Sequence, residues 1–144
     1  MKGRQTLLHV EDDTSLQFLF RRLMEREGFE YHCVPGVEEA IAYVEGRVPF
    51  DDTAQFPRPD IIVTDLGLSS GASATELITW LRQRPEFTHT PIVVLTGGAD
   101  AVAEETVMRA GASAFVVKGV GMREMMDRLR TAFRATGVGQ MQSQ

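Results

Sequence analysis

The chain has 144 residues, of which 43% are hydrophobic and 24% are charged, an ordinary balance for a globular domain. Its net charge of −5 argues against a nucleic-acid-binding surface, and no apolar run approaches the ~20 residues that a membrane span needs. We expect one domain over 1–144, with a core over about 5–135 and a short polar tail over 136–144. We also expect a cytoplasmic protein with no membrane or nucleic-acid partner, because the apolar stretch after Lys2 and Arg4 is too short for a signal peptide.

Strand and helix patterns alternate from the first residues to the last. The predicted strands cover 7–10, 31–34, 61–64, 92–95 and 114–117. The predicted helices cover 14–27, 37–44, 75–83, a stretch from the cap Asp100 to near Gly111, and 122–135. The first helix can be capped by Asp13 or Thr14 and closed by Gly28. This alternation predicts an α/β fold with a parallel sheet covered on both faces.

Two segments allow more than one interpretation. The stretch 46–60 holds three of the six prolines and is longer than a usual helix-to-strand loop, so it is either decoration or a partner-binding element. The last helix carries a methionine-rich stripe that fits a core face better than an adaptable binding surface.

Four predicted strands each end in a residue that phosphoryl chemistry uses. These residues are the acidic run Glu11-Asp12-Asp13, then Asp65, Thr96 and Lys118. Ligands bind beyond the carboxyl ends of the strands in an open parallel sheet, so we expect all four positions to converge on one edge.

The residue types at these strand ends indicate a metal-assisted phosphoryl transfer. Asp12, Asp65 and a backbone carbonyl can ligate Mg²⁺, which prefers oxygen ligands. A lone carboxylate such as Asp65 can itself be a nucleophile, while Lys118 supplies positive charge and Thr96 a hydroxyl donor. Taken singly, such residues are more often helix caps, turn residues or solvated lysines, and it is their joint placement that favours function.

The segments that carry these residues resemble the receiver domain of two-component response regulators. They are LLHVEDD (7–13), PDIIVTDLGL (59–68), TPIVVLTGG (90–98) and GASAFVVKG (111–119), and the resemblance spans about 5–135. It implies a doubly wound, five-stranded parallel sheet of order 2-1-3-4-5, a flavodoxin-like three-layer sandwich. It also implies that a histidine kinase or histidine phosphotransfer protein donates a phosphoryl group to the chain, which then signals to a downstream protein target.

The same resemblance assigns a role to each position. Asp65 is the phosphoacceptor, and Mg²⁺ (or Mn²⁺) is bound by Asp12, Asp65 and the Gly67 carbonyl, with Glu11 acting through a water. Thr96 and Lys118 take the switch and charge-sensing positions, and Phe115 takes the aromatic switch position. The expected chemistry is limited to Mg-dependent self-phosphorylation from a phosphodonor and autodephosphorylation, with no independent enzyme activity.

Several positions depart from the family pattern. Gly119 replaces the proline that follows the lysine, which gives up the low-cost cis bond of an X-Pro pair. Ser69 replaces a common proline, and the loop 69–74 is about one residue long relative to the family. Glycine at 67 and 98 removes two side chains that tune dephosphorylation in relatives, so we predict a phosphoryl lifetime set by water access.

The overall layout is similar to the stand-alone receivers that partner bacterial phytochromes, which often form homodimers. A receiver fold that acts as an interaction module without phosphorylation remains an alternative, because the loops after Asp65 and Lys118 are altered.

Two other functions are disfavoured by the sequence. The run 67–71 fits the G-x-S-x-G nucleophile elbow with Ser69, but the only following acid and histidine are Glu76 or Glu86 with His89, and the chain is short for a hydrolase. A nucleotide-binding flavodoxin-like protein would need a glycine-rich loop after the first strand, where this chain is acidic.

Overall fold

A computed structural model describes residues 3–68 and 73–138. Within these ranges, parallel strands form one sheet in the order β2-β1-β3-β4-β5. The strands are β1 (Thr6–Val10), β2 (Glu30–Val34), β3 (Ile61–Asp65), β4 (Ile92–Thr96) and β5 (Ala114–Val117). The α-helices are α1 (Thr14–Arg26), α2 (Val37–Glu45), α3 (Ala74–Arg82), α4 (Ala101–Ala110) and α5 (Gly121–Ala135), with a 3₁₀ turn at Pro85–Phe87. The predicted strand order is confirmed.

Helix ends lie where capping groups predict them, within one or two residues. Asp13, rather than Thr14, caps α1 by accepting the Leu16 N–H at 3.0 Å. Asp100 caps α4 by accepting two backbone N–H groups, each at 3.0 Å. Gly28 follows α1 with φ of +100°, a conformation that favours glycine and ends the helix.

The sheet separates two apolar clusters. One lies between the sheet and helices α1 and α5, and the other between the sheet and helices α2, α3 and α4. Met125 and Met126 are buried in the first cluster, so the methionine-rich stripe of α5 is mainly core, while Met122 is 42% exposed. Burial of both sheet faces explains why the strands read as continuous apolar runs.

The stretch 46–60 packs against the body of the domain through its aromatic residues. Phe50 and Phe56 lie with ring centroids 5.2 Å apart, and both contact Tyr43 of α2. The Tyr43 hydroxyl donates to the Pro57 carbonyl at 2.9 Å. This segment therefore extends the α2 side of the core.

Two further observations concern the expectations from sequence. Among the helices of the described ranges, none combines the length and apolar character that crossing a bilayer requires.

Residues 69–72 and 139–144 lie outside the described residues, so the length of the loop after Asp65, the position of Ser69 and the end of the polar tail are not described.

Candidate functional site

The carboxyl ends of four neighbouring strands meet at one edge of the sheet. Val10 is in register with Thr64, and Asp65 is in register with Leu95. Lys118 follows β5 directly, and its N–H donates to the Thr96 carbonyl at 2.8 Å. The acidic residues after β1 therefore lie beside the end of β3, and Lys118 beside the end of β4.

Asp65 and Lys118 form an ion pair at this edge. The Lys118 ammonium nitrogen lies 3.5 Å from Asp65 Oδ1. Both side chains are largely shielded, at 13% exposed for Asp65 and 23% for Lys118. Residues separated by more than fifty positions in the sequence are thus brought together, as the placement of strand ends predicts.

The surroundings of Asp65 disfavour its charge. Burial raises the pKa of the Asp65 carboxyl, and the Asp12 carboxylate raises it further. Lys118 and the Gly67 N–H act in the opposite direction. The carboxylate is therefore held in a place where additional positive charge would stabilise it.

Glu11 is the most buried acid of the group, at 2% exposed. Burial raises the pKa of Glu11, against the lowering effect of the Asp13 N–H, which donates to Oε2 at 3.0 Å. The Asp65 carboxylate raises this pKa as well, since neighbouring carboxylates repel, and the Asp12 side chain raises it further. Its other oxygen, Oε1, is buried with no hydrogen-bond partner among the described residues. A buried, unsatisfied carboxylate oxygen indicates a place for a cation or a metal-bound water.

The donor set at this edge fits a divalent cation with oxygen ligands. Gly67 adds to it, because the position of a Cβ on Gly67 lies 3.9 Å from Asp65 Oδ2, which places its backbone beside the carboxylate. Over the described ranges no three histidine, cysteine or acidic side chains cluster closely enough to hold a metal alone. A cation here would therefore need backbone and water oxygens besides carboxylates, the coordination that Mg²⁺ prefers.

Thr96 and Phe115 lie near this edge but make other contacts. The Thr96 hydroxyl donates to the Gly98 carbonyl at 3.2 Å and accepts the Gly98 N–H at 3.4 Å, so it closes its own turn. Phe115 is half-buried and packs against the cluster beneath α2, α3 and α4. Both residues occupy the strand positions that the sequence predicts.

The loop that carries Lys118 has an arrangement that the sequence analysis missed. The Lys118–Gly119 bond is trans, because the described ranges hold a single cis bond, at Val48–Pro49. The loop is instead held by Glu124, which accepts the Val120 N–H at 2.8 Å. Glu124 lies in the first turn of α5, four residues beyond the N-cap Val120, so a carboxylate at a helix start was the signal available in the sequence.

A buried histidine below the acidic residues was also missed. His9 is fully buried on β1, with its Nδ1 2.6 Å from the Tyr31 hydroxyl and its ring against Phe20. Burial lowers the pKa of His9 to about 3, with Lys118 adding to the effect, so the imidazole is neutral at physiological pH. It acts as a core residue rather than a second acid or base.

The hydrolase alternative finds no support in the described residues. His89 precedes β4, at the amino end of that strand, and is exposed. Gly67, the first residue of the G-x-S-x-G run, follows the carboxyl end of β3, whereas His89 lies at the amino end of β4, and Ser69 itself lies outside the described residues.

Comparison with known proteins agrees with this geometry. The family model of the response regulator receiver domain matches residues 7–130. The chain belongs to the response regulator receiver family. The phosphate regulon transcriptional regulatory protein PhoB of Rhizobium meliloti is 33% identical over 125 residues, covering 87% of this chain and 50% of PhoB. The chain thus spans about half the length of that curated relative.

Solved structures share the receiver fold along nearly their whole length. The Mn²⁺-bound response regulator Rcp1 superimposes with a TM-score of 0.76 at 18% identity, covering 90% of this chain and 91% of its own. The phosphorylated cyanobacterial phytochrome response regulator RcpA gives a TM-score of 0.75 at 18% identity, covering 92% and 93%. At these identities the likeness concerns the fold.

Proposed function

We propose that this receiver accepts a phosphoryl group on Asp65 from a histidine kinase or a histidine phosphotransfer protein. The observation that carries the proposal is the pair formed by a buried Asp65 and the Lys118 ammonium, 3.5 Å apart, beside the acidic residues after β1. The whole core over 5–135 would act as one receiver unit, working in the cytoplasm.

A divalent cation is part of the proposal. Asp12, Asp65 and the Gly67 carbonyl would hold Mg²⁺ (or Mn²⁺), with Glu11 binding through a water. The unsatisfied Glu11 Oε1 and the raised pKa of both Glu11 and Asp65 support this assignment, because a cation would offset the crowding of negative charge. When bound, the ion supplies neutralising charge for the phosphoryl oxygens.

The residues of the chain perform the remaining chemistry. A carboxylate oxygen of Asp65 attacks phosphorus as the bond from phosphorus to the donor imidazole nitrogen breaks, and that nitrogen keeps the electron pair. Lys118 stabilises the negative charge that Asp65 shares with the incoming group. The Thr96 hydroxyl is held in its own turn by contacts of 3.2 and 3.4 Å, which are weak enough to exchange for a phosphoryl oxygen.

Exposed apolar side chains near the site support a protein as the donor. Phe18 on α1 is 65% exposed, and Val120, next to the Lys118 loop, is 88% exposed. Met122, at the start of α5, is 42% exposed. Exposed apolar surface beside a site can serve as the contact for a protein partner. A homodimer, expected from the layout shared with stand-alone phytochrome-associated receivers, remains a prediction.

Intact-mass measurement after incubation with acetyl phosphate and Mg²⁺ tests the proposal. We expect the wild type to gain one phosphoryl group and Asp65→Asn to gain none. A wild type that stays unmodified, and shows no spectral change with beryllofluoride, would favour the interaction module that acts without phosphorylation. The Thr96 hydroxyl, which closes its own turn, is the observation compatible with that second function.

A further inference from the structure

The loop that presents Lys118 depends on glycine conformations. Gly119 and Gly121 have φ of +76° and +80°, which residues with side chains rarely adopt. Ordering such a loop costs backbone entropy, because glycine loses more conformational freedom on folding than any other residue. Lys118 is fixed on its amino side by the bond from its N–H to Thr96, so its carboxyl side needs a separate restraint.

Two side chains of α5 supply that restraint, and we call them the α5 clasp: Glu124 and Arg128. Glu124 accepts the Val120 N–H at 2.8 Å, and Arg128 donates to the Val117 carbonyl at 2.9 Å. The two side chains also form an ion pair with each other. The clasp therefore holds the backbone on both sides of Lys118 and Gly119.

The fit between the clasp and the loop is close at Gly119. A Cβ built on this residue would lie 2.7 Å from the Glu124 Cδ and 2.9 Å from its Oε1. Any side chain at position 119 would displace Glu124 or the loop. Glycine at 119 and glutamate at 124 are thus matched to each other.

The energetic role of the clasp is local. Glu124 and Arg128 are 41% and 43% exposed, and an ion pair of that exposure contributes little to the overall free energy of unfolding. Its effect lies in fixing where the loop places the ammonium group, which must stay within reach of Asp65. A misplacement of about 1 Å in a reacting group can cost on the order of a hundredfold in rate.

We infer that Glu124 and Arg128 are positioning residues that hold Lys118 at Asp65, in a loop that has no proline to shape it. This inference rests on the proposed phosphorylation of Asp65. It adds to that proposal two α5 residues that contact neither the phosphoryl group nor the cation.

A double-mutant cycle tests the inference through the rate of phosphorylation by acetyl phosphate at saturating Mg²⁺. Glu124→Ala should slow the reaction roughly tenfold. In a Lys118→Ala background the same change should have no further effect, since the clasp acts only through the lysine. Glu124→Gln, which keeps an oxygen acceptor for the Val120 N–H, should recover most of the rate.

The matched control is Glu105→Ala on α4. Glu105 pairs with Arg109 at 2.8 Å with the same four-residue spacing, on an exposed helix surface. Its removal should leave the rate unchanged. A rate for Glu124→Ala equal to that of this control, or an additive effect in the Lys118→Ala background, would overturn the inference.

Hydrogen exchange of the Val120 amide tests whether the α5 clasp forms, independently of phosphorylation. We expect the Val120 N–H to be protected at least about tenfold in the wild type and unprotected in Glu124→Ala. An unprotected Val120 N–H in the wild type would overturn the clasp. A protected Val120 N–H in a chain that accepts no phosphoryl group would instead contradict the proposed function alone.

Discussion

One aspartate directly precedes strand β3 and another ends it, and the two differ in what surrounds them. Asp60, just before the strand, accepts the Thr6 N–H through Oδ2 at 2.8 Å, and its own N–H donates to the Thr6 carbonyl at 2.8 Å. Asp65, the last residue of the strand, faces the Lys118 ammonium, and burial raises the pKa of the Asp65 carboxyl. The two carboxylates lie at opposite ends of β3, and among the described residues the ion pair at this strand is the one between Asp65 and Lys118.

The comparison separates a structural carboxylate from the one proposed to be the phosphoacceptor. A carboxylate that accepts a backbone N–H and is not crowded by other ionised side chains stabilises the fold. A carboxylate crowded by other acids and one lysine lowers stability until a cation or a phosphoryl group arrives. Neighbouring charged groups, rather than backbone hydrogen bonds, therefore distinguish Asp65 from Asp60.

The largest expected effect is at these two aspartates. Asp65→Asn should abolish phosphoryl incorporation and raise the free energy of unfolding of the metal-free protein at pH 7, because it removes a charge that burial disfavours. Asp60→Ala should leave incorporation intact and lower the free energy of unfolding by about 1–2 kcal/mol, since the Thr6 N–H loses its acceptor. Intact mass and urea titration measure both. Equal behaviour of the two variants would refute the distinction.

The next effect concerns Lys118, whose ammonium group pairs with Asp65. Lys118→Ala should slow phosphorylation by acetyl phosphate roughly a hundredfold, the usual cost of removing one preorganised electrostatic group. Arg109→Ala removes an exposed cation that is ion-paired on α4 and serves as the control. Stopped reactions followed by intact mass give the rates, and a Lys118→Ala rate within twofold of the wild type would contradict the assigned role.

A smaller effect is expected at Glu11, the unsatisfied acid on the reactive side. Glu11→Gln should raise the Mg²⁺ concentration needed for half-maximal phosphorylation roughly tenfold, because loss of a residue that supports the metal ligands commonly lowers metal affinity by that factor. Because it removes a buried charge, it should also raise the free energy of unfolding of the metal-free protein. Glu30, paired with His32 on β2, supplies the control Glu30→Gln, for which no change in Mg²⁺ dependence is expected. A Mg²⁺ dependence identical to the wild type would remove Glu11 from the site.

A further change tests the access of water to Asp65. A side chain at Gly98 meets nothing within 4 Å of its Cβ, so Gly98→Asn or Gly98→Glu can be made without displacing the fold. We expect the lifetime of the phosphorylated form to change several-fold, and Gly97, which is equally open, is the matched position for a control. An unchanged lifetime would end the idea that bare water access sets it.

The smallest effect is a pH dependence of the loop next to Lys118. The Val120 N–H lowers the pKa of Glu124 below its usual 4.5, and Arg128 adds to the effect. A lowered folded-state pKa means that the restraint is fully present above pH 4.5 and is lost as the pH falls through the lowered value. The Val120 amide shift, followed by NMR, should therefore titrate below pH 4.5 in the wild type and not at all in Glu124→Gln.

Much of this could be predicted from sequence because the signals are local. Apolar runs bounded by capping residues predict the strands and helices. The rule that ligands bind at the carboxyl ends of parallel strands predicts that Asp65 and Lys118 lie close together. The capping of α1 by Asp13 likewise follows from residue type.

The remainder depended on side-chain contacts that have no sequence period. The sequence shows Glu124 only as an acid at the start of a helix, because its bond to the Val120 N–H depends on the path of the 118–121 loop. At Gly119 the sequence shows only that the usual proline is absent. The stretch 46–60 shows composition but not which faces of Phe50 and Phe56 meet Tyr43. Such contacts are set by tertiary packing, which overrides local pattern.

The division of the sheet into two faces limits how a change at Asp65 can spread. Side chains alternate along a strand, so Asp65 shares the α1–α5 side with Val63, whereas Thr96 shares the opposite side with Val94 and Phe115. An unbroken layer of hydrogen-bonded backbone lies between them. Any coupling between the carboxylate and the aromatic ring would therefore pass around the rim of the sheet, where the Thr96 hydroxyl lies at the end of β4. A methyl group in place of that hydroxyl would disconnect the two sides while leaving each of them folded.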